Sequence, residues 1–496
     1  MKLDAKKAVY LLIFLHLVIA LPFAAKLNIW TDEASTLYTT KHGFFQAFQN
    51  LFSDEKQAPI YFLLMSLWRK INDSIFFARL FSIICSLLAI LSFSRLAQKL
   101  WEEKTALFVT AVFALHPYLF WASLEIRLYS LMILITCLLF SFFYDGFLSD
   151  ETDKKAQIYY FLTAIAALYT NYYLGFLLVG AFFALLVLRR WAQAKNYFLW
   201  MLGVGVCILP LFYIINLQFS DRIITFQEEK SFIAGIKNIW NHCLTLVLPT
   251  EIFPTEEISL FSVIRIWLVR LAILLVAVLM IKNRFRYLDK NIVSFGIISA
   301  VAAAFFLFVY FQLGTDYVES RHVAVLFVSV FLFANLVLTK VLPKRALIFI
   351  GILYLIFFTY AMFAMYPNLT KRGDWARVAA FIEQNETEDQ PIVVFQVYDV
   401  ISLPNYYRGK NRILPEEKVF SFFTEQEMQS PNAFRNQIEF LITKFPPEAK
   451  EIWLLTNEKC NVGRACEPLE NFVQANYTII QEKDFYLEKI RLLRKK

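Results

Sequence analysis

Two adjacent carboxylates, Asp32 and Glu33, stand in the run Asn28-Ile29-Trp30-Thr31-Asp32-Glu33-Ala34, just after the first apolar stretch of membrane length. Carboxylates cost little in water and much in hydrocarbon. A pair at the edge of an apolar segment therefore suggests a site facing the interface and able to take a proton. The plain alternative is a solvated loop in which Asp32 caps the following helix. Cysteine and histidine are the other residues with chemistry to offer. Cys85, Cys137 and Cys207 lie in apolar spans and Cys243 in an outer-loop helix, where thiols behave as small hydrophobes. Cys460 and Cys466 sit in one polar loop, close enough for a disulfide in an oxidising compartment; a metal site is the poorer alternative, because no His is near. His16, His42, His116, His242 and His322 show no ligand spacing, and there is neither a phosphate-cradling glycine loop nor a nucleophile elbow.

Composition says what must position these groups. The chain is 58% apolar and 18% charged, with 52 Phe and a positive mean hydropathy, which excludes an ordinary soluble protein. It reads as a polytopic α-helical membrane protein with spans near 8–25, 79–98, 105–122, 128–147, 157–172, 173–190, 197–215, 260–281, 291–312, 323–340 and 346–365. The pair between 157 and 190 is short for a bilayer. Basic residues fall in alternate loops: Lys2/Lys6/Lys7, Arg95/Lys99/Lys104, Lys154/Lys155, Arg189/Arg190/Lys195, Lys282/Arg284/Arg286/Lys290 and Lys340/Lys344/Arg345. That side is expected to be cytoplasmic, with the N terminus on it, and the net charge of +8 is accounted for by topology rather than by nucleic acid. Phe23-Ala24-Ala25 resembles a signal cleavage site, but cleavage there would undo the alternation of loops.

The other side holds the long segments. Residues 26–78 form a first outer loop, in which 33–52 is amphipathic and suited to the interface. Residues 216–257 form a second, with polar Gln227-Glu228-Glu229-Lys230 followed by an apolar-aromatic stretch. Residues 1–367 form the membrane part; from 368 to 496 the composition turns soluble and alternates as in a small extracytoplasmic α/β domain. Helices are expected at 375–384 and 432–443, and strands at 392–395, 452–455 and, last, 477–480.

Further motifs follow the acid pair on the same outer side. They are Gln57-Ala58-Pro59-Ile60-Tyr61-Phe62-Leu63-Leu64, Arg79-Leu80, His116-Pro117, Ser123-Leu124-Glu125-Ile126-Arg127-Leu128-Tyr129, Leu168-Tyr169-Thr170-Asn171-Tyr172-Tyr173, Glu319-Ser320-Arg321-His322 and Gly373-Asp374-Trp375-Ala376-Arg377. In their order the chain resembles the polyprenyl-phosphate-dependent membrane glycosyltransferases of the GT-C superfamily, in the family of protein O-mannosyltransferases, lipid A aminoarabinose transferase and Rgt-type sugar transferases. The resemblance implies a GT-C fold of about 11 transmembrane helices and an inverting transfer on the outer face of the inner or cytoplasmic membrane. The donor would be a polyprenyl-phosphate sugar, and the acceptor a hydroxyl of a glycolipid, polysaccharide or protein. A lipid-linked-sugar flippase and a receptor or assembly scaffold are the alternatives.

A lipid phosphate leaving group needs no protonation, so such an enzyme needs one base and a cationic cradle. The resemblance implies Asp32 as base, with Glu33 orienting it or the acceptor. Arg127 and Arg321 would hold the phosphate, with Glu125 fixing Arg127; either cation could instead snorkel to headgroups. Arg265 and Arg270 lie inside an apolar span, where charge calls for a buried partner or the lipid phosphate. Tyr61 and Tyr129 could stack on sugar or belong to an aromatic belt, and His322 stands beside Arg321. No cofactor is required by this scheme, although a divalent metal could bind.

Overall fold

Proline and charge decide where the helices stop. In the computed structural model, which describes residues 4–55, 57–219, 231–247, 260–282, 286–313, 318, 321–371, 373–395, 399–416, 433–457, 460 and 466–496, the first helix is α1 (Ala5–Lys26). The first outer loop follows as α2 (Thr31–Thr39), α3 (Phe44–Asn50) and α4 (Pro59–Arg69). The expected amphipathic stretch is thus two short helices broken at Gly43, whose φ of 92° a side chain would resist. Leu37 and Leu51 are buried while Phe45 is exposed, as an interfacial segment requires.

Next come α5 (Ile75–Leu100), α6 (Glu103–Ala114), α7 (Pro117–Ser123), α8 (Tyr129–Phe143), α9 (Lys154–Thr170), α10 (Leu174–Val187), α11 (Trp191–Cys207) and α12 (Leu209–Phe219). An outer amphipathic helix, α13 (Phe232–Val247), precedes α14 (Leu260–Lys282), α15 (Lys290–Leu313), α16 (Phe327–Val341) and α17 (Lys344–Met365). The eleven expected spans all fall on helices, and the protein is a multi-span membrane protein. Two of the expected spans are bent pairs: α6 meets α7 at 52° and α11 meets α12 at 54°. Pro117 and Pro210 stand in the first turns after these breaks, where the missing amide hydrogen and the ring end the preceding helix.

Among the described residues six helices are long and apolar enough to cross a membrane, and eight if each bent pair counts once. The short ones are those expected to be short. At about 1.5 Å per residue, the 17 residues of α9 and 14 of α10 reach about 26 and 21 Å, less than a bilayer core of about 30 Å. Residues 227–230 of the second outer loop lie outside the described residues.

Beyond α17 the chain forms α18 (Trp375–Asn385), β1 (Ile392–Val394), β2 (Ile413–Leu414), α19 (Ala433–Thr443), β3 (Glu451–Asn457), α20 (Glu467–Asn476), β4 (Tyr477–Asp484) and β5 (Glu488–Lys495). The sheet order is β2-β1-β3-β5-β4, parallel across β2-β1-β3 and antiparallel beyond. Side chains alternate between its faces. Val393, Ile452, Leu454 and Leu493 pack with Ile438, Leu441 and Leu469, whereas Ile392, Val394, Trp453 and Leu455 join Val378 and Ile382 in the core continuous with the membrane helices. The last strand is β5 rather than the expected 477–480. Cys460 and Cys466 are joined by a disulfide.

The two ends of the helix bundle carry different chemistry. At one end Lys99 pairs with Asp145 (2.6 Å), Asp150 with both Arg190 (2.6 Å) and Lys290 (2.7 Å), and Lys340 with Asp289 (3.1 Å). These are the loops that the basic pattern assigns to one side. Arg79, twenty residues before Lys99 on α5 and so about 30 Å away along the axis, belongs to the other end.

Candidate active site

Glu33 is built into the start of α2. As the third residue of the helix it reaches back to its own N-terminus, where one carboxylate oxygen accepts from the backbone amide of Trp30 (3.3 Å). The same oxygen meets Arg79 Nη2 at 3.4 Å; the other accepts from the Ile126 amide (2.9 Å) and pairs with Lys371 Nζ (2.8 Å). Arg79 also caps the C-terminal end of α1, donating to the carbonyls of Ala24 (3.1 Å), Leu27 (2.7 Å) and Asn28 (3.1 Å). Burial raises the Glu33 carboxyl, but Lys371 and then Arg79 outweigh it and hold the group below the usual carboxylate range.

Glu125, in the turn between α7 and α8, shares the same lysine. Its Oε1 lies 2.9 Å from Lys371 Nζ and its Oε2 accepts from Trp30 Nε1 at 2.6 Å. Burial pushes this carboxyl up to about 7, with Lys371 opposing and the charge of Glu33 adding to the rise. Lys371 completes its own set on the Leu124 carbonyl (2.9 Å).

Arg127 belongs to a second group. It donates to the Asp32 carbonyl (3.2 Å), Thr36 Oγ1 (2.9 Å) and Glu55 Oε2 (3.0 Å), and Glu55 also accepts from Ser35 Oγ (2.8 Å). Burial opposes the charge on Arg127, while Glu55 and Asp32 favour it and keep it firmly protonated. The expected Glu125–Arg127 pair is therefore not formed: Glu125 turns to Lys371 and Trp30, and Glu55 takes its place beside Arg127. The Asp32 carboxylate pairs with Arg321, whose guanidinium lies 5.6 Å from the Trp30 ring centre.

The structure thus brings Asp32, Glu33, Glu125, Arg127 and Arg321 together. Tyr61 and Tyr129 are core residues beside them: Tyr61 is fully buried against Phe62 and Phe81, and Tyr129 lies on Trp121 with ring centres 4.7 Å apart. His322 stands behind Arg321, 6.5 Å from the Tyr173 ring. Arg270 is not brought in. It is exposed on α14, stacked 5.4 Å over Trp267 rather than turned to a buried partner, because it lies on the same outward side of the helix as Trp267. The side chain of Arg265, and residues Glu319 and Ser320, lie outside the described residues.

Two partners, Glu55 and Lys371, escaped the sequence reading, and Arg79 was read there as a motif residue without a role. Lys371 had a signal, since Lys371-Arg372 is a basic pair directly after the last apolar span. Among the described residues no three His, Cys, Asp or Glu side chains converge as a metal would need.

Residues 56–214, which run from α4 into α12, match the family model described as dolichyl-phosphate-mannose-protein mannosyltransferase. The match bears out, over that stretch, the resemblance to polyprenyl-phosphate-dependent membrane glycosyltransferases carried by the motifs. No curated protein matches the chain. Among solved structures the chain is similar to ArnT from Cupriavidus metallidurans in the apo state (13% identity, TM-score 0.48, 98% of this chain and 97% of that one). It is similar also to the same protein bound to undecaprenyl phosphate (12%, 0.47, 98% and 97%). A third is AglB, an archaeal oligosaccharyltransferase from Archaeoglobus fulgidus in complex with an inhibitory peptide and a dolichol-phosphate (11%, 0.43, 90% and 70%).

Proposed function

We propose that the protein is an inverting glycosyltransferase that moves a sugar from a polyprenyl-phosphate donor to a hydroxyl of a glycolipid, polysaccharide or protein on the outer face of the cytoplasmic membrane. One observation carries the assignment of the base. Of the carboxylates around α2, the side chains of Glu33, Glu125 and Glu55 are 0%, 0% and 3% exposed and Asp399 is buried, while the side chain of Asp32 is 25% exposed. A base must be reachable, and Asp32 is. Glu33 then serves to hold the helix rather than to orient the acceptor, because protein donors occupy both of its oxygens.

In the reaction the acceptor hydroxyl gives its proton to Asp32 as its oxygen bonds to the anomeric carbon. The bond from that carbon to the phosphate oxygen breaks, and the electron pair leaves on the lipid phosphate. Arg321, 21% exposed, is the cation placed to receive that charge. It is bound to Asp32 meanwhile, so donor binding would draw it onto phosphate and free the carboxylate. Arg127, committed to Glu55 and Thr36, contributes to the field of the site and supports the start of α2.

The test is Asp32→Asn, which keeps the shape of the side chain but cannot accept the proton. Transfer at saturating donor should fall about 100- to 10,000-fold, with donor binding at least as tight as in the wild type, since Arg321 loses its competing partner, and thermal stability near it. A wild-type rate would remove Asp32 from the mechanism and, with it, this reading.

A further inference from the structure

Lys371 is 1% exposed, and it reaches the acid pair from the far side of the chain, from the short link between α17 and α18. A lysine ammonium is a compact charge with three donors. Here it donates to the Leu124 carbonyl (2.9 Å) and forms ion pairs with Glu33 Oε1 (2.8 Å) and Glu125 Oε1 (2.9 Å). A buried cation is tolerated only when it is paired and hydrogen-bonded in this way. The result is a cross-link of three segments: the first turn of α2, the turn between α7 and α8, and the link into the C-terminal domain.

The same domain grips the residues just before Asp32. The Asn28 amide donates to the Leu369 carbonyl (3.2 Å), and its side chain both accepts from the Ala376 amide (2.9 Å) and donates to Asp374 (3.3 Å). The Ile29 amide donates to the Tyr406 hydroxyl (2.8 Å). Thr31 Oγ1 donates to Asp399 (2.9 Å), which Asn457 holds in turn (2.7 Å). Residues 28–33 are therefore fixed on one side by the link and sheet domain and on the other by the membrane helices. Asp32 sits within that span.

We propose that Lys371 is a positioning residue for the transfer: by tying Glu33 to Glu125 it holds the start of α2, and so Asp32, in register with the donor site, and makes the C-terminal domain part of that site. This rests on the function proposed above. Lys371 meets Glu33 on α2 and Glu125 in the α7–α8 turn, and Tyr366 after α17 stands near the same two acids; its removal leaves two buried carboxylates, of which Glu33 keeps Arg79 on α5 as a cation.

The variants are Lys371→Met and, should that one fail to fold, Lys371→Met/Glu125→Gln, which removes a cation together with one of its anions. Two readouts are taken on the full-length protein. Hydrogen exchange at the amides of residues 30–36 should quicken in both variants, and by less in Glu125→Gln alone, which weakens the tie to the α7–α8 turn but keeps the Lys371–Glu33 contact. The kcat should fall about 10- to 100-fold, as misplacement of a reacting group by about an ångström does, with donor KM within about threefold. Unchanged exchange, or unchanged kcat per folded molecule, in the variant that folds would overturn the proposal. If the wild type transfers no sugar, the function fails instead, and the exchange data still decide whether Lys371 positions α2.

Discussion

At the residue scale the site separates reachable groups from locked ones, and the two Arg candidates fall on opposite sides of that line. Arg321→Ala removes a part-exposed cation, so donor use should weaken by about 1.5 to 3 kcal/mol, about 10- to 100-fold in donor KM, with the unfolding temperature little changed. Arg127→Ala strands Glu55 without its cation in a site 3% exposed, and should cost about 3 to 5 kcal/mol of stability. Parallel measurement of donor KM and thermal unfolding separates them; equal behaviour of the two variants would defeat the distinction. Glu125 supplies a pH dependence. Its carboxyl rises from about 4.5 to about 7 on folding, so between those values the folded chain binds more protons than the unfolded one. Stability therefore declines as pH rises through that window, and Glu125→Gln should flatten the slope of unfolding temperature against pH. Asp32 and Arg321 could be singled out in the sequence because they sit in motifs that carry the resemblance. The roles of Arg79 and Lys371 could not, because a pairing such as Glu33–Lys371 joins residues hundreds of positions apart and no local pattern encodes it.

At the scale of elements, prolines and charges explain both what could be read and what could not. Apolar length located a helix for each expected span, but the bends at Pro117 and Pro210 appear only once each proline is taken as the start of a new helix. Strand β5 was missed because Lys489, Arg491 and Arg494 break its apolar run; in the structure Arg491 is buried through a bidentate pair with Glu470 at 2.6 and 2.7 Å. The contact between the first outer loop and the C-terminal domain also has a testable part. Tyr406→Phe deletes the acceptor of the Ile29 amide and should cost about 1 to 3 kcal/mol, the penalty of an unsatisfied buried donor, with faster exchange at Ile29 as its signature. No change in either quantity would show that this contact does not bind the two parts.

For the molecule as a whole, the basic loops at one end of the bundle and the Asp32 cluster at the other lead us to propose that residues 368–496 lie outside the cytoplasm. A reporter active only in the cytoplasm, fused after Lys496, should stay silent; strong signal would reverse the side given to the site. The cluster is also balanced: Asp32, Glu33, Glu55 and Glu125 face Arg79, Arg127, Arg321 and Lys371. The grip of the sheet domain on residues 28–31 has a consequence for inheritance and for engineering. Transplanting 368–496 from a relative brings a foreign Lys371, Asp374, Asp399 and Tyr406 against a native Asn28, Ile29, Thr31 and Glu33, and such chimeras should mature poorly. Grafts that carry 26–39 along with the domain should mature well. The heritable unit of this site is two stretches at opposite ends of the chain, exchanged together or not at all.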